Sequence, residues 1–263
     1  MVQYNYNSSK GTKGKRMKLG LGNPTVKNGT NILDIKVPAE LEKTCPTGLN
    51  YIDDAFGGKG MTPSTVVLFT GTPGSGKTTL MLQLADNITR KGHTALFNTA
   101  EESLFQVRKV TKRLRLKHGF VCGSESKIDV LLKNASELKK KFPKKQLFII
   151  VDSLQTLDDG FYSSGHTNSM TAVRCMQQLT EYAKENYAIV IVIGQVKKDG
   201  EFSGKMAIKH IVDAHCHLFL ENDKKSDNFN QRVFEVRKNR FGCNGIGYVL
   251  NLGEKGFREY YRS

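Results

Sequence analysis

The sequence predicts an α/β fold: a mostly parallel central sheet flanked by helices, with an antiparallel edge. Residues 147–152 read Leu-Phe-Ile-Ile-Val-Asp, an uninterrupted apolar run that suits a strand buried on both faces of a parallel sheet, and residues 188–194 form a second such run. Between a β-branched run at 65–69 and a helix-like stretch lies Gly71-Thr72-Pro73-Gly74-Ser75-Gly76-Lys77-Thr78, the glycine spacing of a phosphate-binding (Walker A) loop. The last quarter, at 218–221, 232–238 and 246–250, looks like antiparallel strands at one edge.

Composition bounds the rest. With 263 residues, 38% of them hydrophobic, the chain can bury the core of one large α/β domain. Residues 1–33 hold no Asp or Glu and few apolar side chains, so they are expected to form a disordered basic arm, with the folded domain at 34–263. No apolar run approaches the roughly 18 residues of a membrane span, and the N-terminus lacks a secretory apolar stretch, so a soluble intracellular protein is expected. Cys45, Cys122, Cys175, Cys216 and Cys243 lie far apart with no C-x-x-C pair, which argues against a zinc ribbon or a disulfide framework. Forty Lys and Arg against 25 Asp and Glu give a formal charge of +15, which suits a polyanionic partner, nucleic acid first.

In chain order, residues 47–58 read as a short helix ending in the Gly57-Gly58 turn, ahead of the strand at 65–69. The phosphate loop follows, and Leu80, Met81, Leu84, Ala85 and Ile88 recur at helical spacing from Thr78 and Thr79 onward. The next strand is 94–98, followed by Glu101-Glu102 and a basic helix through Arg108, Lys112, Arg113 and Arg115. A basic stretch at 139–145 precedes the strand 147–152, and a helix at 173–185 precedes the strand 188–194. His215-Cys216-His217 puts both imidazoles on one face of a strand, but no second ligand cluster supports a metal there.

The chemistry gathers at one sheet edge, because ligands of parallel α/β sheets sit at the carboxyl ends of the strands. The backbone N–H groups of 71–79 close around a triphosphate, Lys77 reaches the β- and γ-phosphates, and the Thr78 hydroxyl suits Mg²⁺. Asp152 closes its strand as a Walker B aspartate would, beside the same metal. Glu101 is the favoured base for the attacking water, with Glu102 as the alternate, and Gln195 is placed to hydrogen-bond the γ-phosphate. Residues 197–205, glycine-punctuated and basic, suit a strand-binding loop. Lys238 and Arg240 share a face at the end of 232–238, where two cations can complete a neighbouring subunit's ATP site.

Taken together, Thr47-Gly48 with Gly57-Gly58, the loop 71–78, Ala100-Glu101-Glu102-Ser103 with Gln106-Val107, Asp152-Ser153-Leu154-Gln155-Thr156, Val196-Lys197-Lys198-Asp199-Gly200, His210-Ile211-Val212-Asp213 and Lys238-Asn239-Arg240-Phe241-Gly242 resemble the ATPase core of bacterial RadA/Sms, in the RecA superfamily. The resemblance covers about residues 45–255. It implies a RecA-like fold and a DNA-stimulated ATPase using ATP and Mg²⁺, which moves on single-stranded or branched DNA as a DnaB-type helicase does. It also implies a hexameric ring with ATP sites between subunits, with Lys238 and Arg240 reaching the adjacent nucleotide. The loops 158–171 and 197–209 would face the channel, with Lys197, Lys198, Lys205 and Lys209 on DNA, and a recombinase or replisome protein would be the partner. These residues show neither the four-cysteine zinc module nor the Lon-protease-like domain usual in RadA, and Gln195 stands where RadA commonly has histidine. A stripped core of this kind suits a phage or mobile element, hence the cytoplasm of a bacterial or phage-infected cell. Two alternatives stay open: a RecA-type strand-exchange recombinase, and a nucleotide-switched binding module that is not a motor.

Overall fold

The computed structural model describes residues 29–162, 167–195 and 206–262. The chain divides between Ile35 and Lys36 into two units. In the first, a 3₁₀ turn at Ile32–Asp34 is capped by Asn31, whose side chain accepts from the Leu33 N–H. The second, from Lys36 onward, carries the sheet.

Its elements are α1 (Asn50–Ala55), β1 (Val66–Gly71), α2 (Lys77–Arg90), β2 (Thr94–Thr99), α3 (Leu104–Leu114), β3 (Val121–Gly123), α4 (Ile128–Lys141), β4 (Leu147–Asp152), α5 (Ser169–Asn186), β5 (Ile189–Gln195), α6 (Met206–Ile211), β6 (Ala214–Leu220), β7 (Arg232–Asn239), β8 (Ile246–Gly253) and β9 (Gly256–Arg262). The strands form one sheet in the order β3-β2-β4-β5-β1-β6-β7-β8-β9. It is parallel from β3 through β6 and antiparallel from β6 to β9. The mostly parallel sheet with an antiparallel edge is therefore present as the sequence predicts.

The apolar runs behave as strands covered on both faces. Alternate residues of β1, β4 and β5 go to opposite sides: Val67, Phe69, Phe148, Ile150, Ile191 and Ile193 pack with α1, α2 and α3, whereas Val66, Leu68, Ile149, Val151, Val190 and Val192 pack with α4, α5 and α6. Each such side chain, fully removed from water, contributes about 1.5–3 kcal/mol relative to exposure.

Several features differ from the sequence expectation, among them the loop expected at 197–209, whose last four residues belong to α6. The strand expected at 218–221 begins at Ala214 and runs parallel to β1, because α6 carries the chain across before it re-enters the sheet; only from β7 onward is the edge antiparallel. The loop expected at 158–171 ends earlier, since α5 starts at Ser169 with a capping box from Asn168 and Thr171.

The shared face of His215 and His217 is filled from within. Thr70 Oγ1 lies 2.8 Å from His215 Nε2 and 2.8 Å from His217 Nδ1. The same hydroxyl lies 3.3 Å from the Cys216 carbonyl, so its one proton has three acceptors to choose from and at least one of the two rings donates to it. Burial and then the nearby Arg237 cation push His217 down to about 4 and His215 to about 3, so both rings are neutral at pH 7.

Candidate active site

The strand register builds the site. Gly71 at the end of β1 pairs with Gln195 at the end of β5, and Thr99 at the end of β2 pairs with Asp152 at the end of β4. The phosphate loop, Glu101, Asp152 and Gln195 therefore meet at one edge, as the sequence places them.

Glycine is required in the loop on steric grounds. A Cβ on Gly71 would lie 2.3 Å from the Leu218 carbonyl oxygen; Gly76 has φ 102° and its Cβ would lie 3.0 Å from the Phe257 ring. Ser75 is buried and its Oγ has no hydrogen-bond partner among the described residues, although such groups normally find one. The Lys77 ammonium donates to the carbonyls of Gly71 at 2.9 Å and Thr72 at 3.1 Å, so it lies folded over the loop. Burial lowers its pKa, while Asp152 and Glu101 pull it back. A loop whose Gly71 and Gly76 leave no room for a Cβ, a buried unpaired hydroxyl and a desolvated ammonium fit a triphosphate.

Oxygen donors lie next to the ammonium. Thr78 Oγ1 donates to Asp152 Oδ2 at 2.7 Å, placing a hydroxyl and a carboxylate where a hard cation would take both. Burial pushes Asp152 up to about 6 against the Thr78 hydrogen bond, with Glu101 and Glu102 adding to the rise. A divalent cation beside it favours the ionised form. Thr79, the next residue of α2, is half-buried.

Of the two glutamates, Glu101 is at the centre. Gln195 Nε2 donates to Glu101 Oε1 at 2.8 Å, and the Ser153 hydroxyl donates to the same oxygen. Gln155 Oε1 accepts from the Gln195 N–H at 3.2 Å, so the roots of the segments after β4 and β5 are tied together. Glu102 turns elsewhere: its N–H donates to Thr99 Oγ1, and its Oε2 is buried with no partner among the described residues. Ser103 and Gln106 form a capping box that starts α3 directly after the pair. The sequence names Ser153 and Gln155 only as part of a likeness; their bonds to Glu101 and Gln195 are the roles it does not reveal.

Lys238 and Arg240 are not at this edge. Both reach the end of α6 and the turn into β6: Lys238 Nζ donates to the carbonyls of Lys209 at 2.8 Å and Val212 at 2.7 Å, and Arg240 pairs with Asp213 at 3.1 Å and donates to the His210 carbonyl. Asp213 also accepts from the Val66 N–H, at the start of β1 and so the opposite end of that strand from the phosphate loop. Asn239 between them donates to the Ala55 carbonyl and so locks the end of α1 onto β7. Lys209 lies in α6, whereas Lys197, Lys198 and Lys205 lie outside the described residues.

A family model described as "ATPase: KaiC" matches residues 45–120, which span the phosphate loop and β2. The chain is 34% identical over 215 residues to the DNA repair protein RadA of Haemophilus influenzae, a match that takes in 81% of this chain and 44% of that protein. It carries a RadA-like ATPase core. RadA of Mycobacterium tuberculosis is likewise 34% identical, over 79% of this chain and 41% of its own length. The RadA-like core thus spans less than half of these curated relatives. Among solved structures, a DnaB-like replicative helicase superposes with a TM-score of 0.70 at 16% identity, covering 82% of this chain and 61% of that one. A KaiC-like protein of Pyrococcus horikoshii superposes with a TM-score of 0.64 at 18% identity, covering 83% of this chain and 99% of that one. At those identities the likeness speaks for the RecA-like fold alone. No described helix of the core is long and apolar enough to cross a membrane.

Proposed function

We propose that the RadA-like core is an ATP- and Mg²⁺-dependent motor on single-stranded or branched DNA, acting in recombination, repair or replication, and working as a ring with ATP sites between subunits. The observation that carries this reading is the Gln195–Glu101 bond. It joins a group that can meet a γ-phosphate to the group best placed to activate water, at the root of the basic segment 196–205. A γ-phosphate that draws on the Gln195 amide competes with Glu101 for it, so nucleotide state is felt at the residue from which that segment leaves β5.

In this reading Lys77 and the loop N–H groups of 71–79 hold the phosphates, Thr78 and Asp152 hold the metal, and Glu101 orients and deprotonates water. Mg²⁺ would supply charge neutralisation of the β- and γ-oxygens. Lys238 and Arg240 act on the nucleotide of the next subunit, and Lys197, Lys198, Lys205 and Lys209 hold DNA. The formal charge of +15 supports a polyanionic partner, and the RadA relatives are described as DNA repair proteins.

The experiment is release of a labelled strand from a forked duplex. ATP-dependent release, absent with a non-hydrolysable analogue, is the expected result. Hydrolysis of ATP with no strand released would contradict a motor, and pairing of homologous strands without release would point to a strand-exchange recombinase.

A further inference from the structure

Beside α3 a cavity of about 240 Å³ opens between the helix and β3. Leu104, Val107, Leu116, Phe120 and Cys122 supply its apolar wall, and Arg108 stands at its mouth. Leu104, in its wall, is 42% exposed, and the adjacent Phe105 in the first turn of α3 is 89% exposed. Large apolar groups exposed together beside a concavity mark a contact surface.

The groove is built rather than incidental. Asp86 of α2, 6% exposed, accepts from the N–H groups of His118 at 2.8 Å and Gly119 at 2.7 Å, with Lys117 at 3.4 Å, and so fixes the turn that closes the groove's far end. Arg115 ends α3 in the left-handed conformation, and the Phe120 ring packs 5.8 Å from Phe97 in the core. Such a surface costs little to organise when a ligand arrives.

Its charge is one-sided. From Ser103 to Ser124 the chain has no Asp or Glu, yet carries Arg108, Lys109, Lys112, Arg113, Arg115 and Lys117, all exposed. None of the six forms an ion pair among the described residues. Lys112 lies four residues beyond Arg108 on α3, one turn along the helix from the groove's mouth.

We propose that this groove is a docking site for an acidic protein segment carrying a large apolar side chain. The carboxylates meet Arg108 and Lys112, and the apolar group enters the cavity beside Val107 and Phe120. Nucleic acid fits less well, since its bases stack on exposed aromatic faces rather than filling a cavity walled by Leu104, Val107, Leu116 and Cys122. The groove also lies at the β3 end of the sheet, whereas the segments after β4 and β5 arise from its middle. Because α3 starts shortly after Glu101, an occupant here sits on the element next to the proposed catalytic base. The inference does not depend on the chain being a motor.

A short fluorescent peptide of Asp and Ser ending in Ile-Phe tests it by anisotropy with the whole chain. Saturable binding is expected, weakened about tenfold or more by Arg108→Glu with Lys112→Glu, two exposed positions whose reversal leaves basal ATP hydrolysis unchanged. Bound peptide is also expected to slow alkylation of Cys122, in the groove, and not that of the exposed Cys243. Equal binding of a peptide with Asn in place of Asp or Ala in place of Ile-Phe would overturn the proposal. Unchanged affinity in the charge-reversed protein would overturn it as well, as would a single-stranded oligonucleotide that protects Cys122 and loses affinity in that variant.

Discussion

Lys77→Ala is expected to abolish ATP hydrolysis while leaving the fold in place. The Lys77 ammonium is the cation folded over the phosphate loop, held by the carbonyls of Gly71 and Thr72 and desolvated by its surroundings. Those carbonyl contacts are local and keep the loop shaped for a phosphate; they do not hold the sheet together. Removing one donor aimed at charge that develops in a transition state costs about 10²–10³ in rate, roughly 3–4 kcal/mol. Lys77 also binds the ground state, so nucleotide affinity falls with turnover. Thermal unfolding is expected to move little, because burial already penalises the ammonium. Hydrolysis within a few fold of the unmodified chain would remove Lys77 from the site.

Arg240→Ala is the second large effect, and it separates a shared site from a self-contained one. Arg240 pairs with Asp213 near the start of β1, so it cannot serve the phosphate loop of its own subunit from that position. As a finger on the neighbouring nucleotide it is worth about 10³–10⁵ in turnover. The Arg240 side chain is 49% exposed and Asp213 only 7%, but Asp213 keeps the Val66 N–H, so loss of the pair costs about 1–3 kcal/mol. The variant should therefore fold and bind ATP but lose hydrolysis. Mixing it with Lys77→Ala is the decisive arm: interfaces that join an intact phosphate loop to an intact Arg240 regain turnover, although each parent is inactive. Failure of the mixture to regain activity, with mixed assemblies shown to form, would remove the finger from the mechanism.

Much of this site could be read before any fold was known, for a physical reason. A phosphate loop is a local object: glycine spacing, a preceding buried strand and a following amphipathic helix all lie within a few residues. Strands β1, β4 and β5 announce themselves because burial on both faces leaves no polar alternation, and Asp152 and Gln195 follow as the residues at which the runs end. The direction of β6 was not legible, since it depends on which strand Ala214–Leu220 meets after α6. Nor was β3, three residues long and partly exposed. For β9 the Gly253-Glu254-Lys255-Gly256 turn is the signal that could have exposed it. Choosing Glu101 over Glu102 rested on distance along the chain; what distinguishes them in space is Gln195 and Ser153, 94 and 52 residues away. The cations Lys238 and Arg240 were legible as a pair, but their anchors at Lys209, His210, Val212 and Asp213 arise only when β7 lies beside β6.

Steady-state ATP hydrolysis by the purified chain, with and without single-stranded DNA and with Lys77→Ala as the blank, tests the central claim most directly. A DNA motor predicts turnover that rises severalfold with single-stranded DNA. Turnover that is measurable above the blank and indifferent to DNA would contradict it, and would leave a nucleotide-switched binding module in its place.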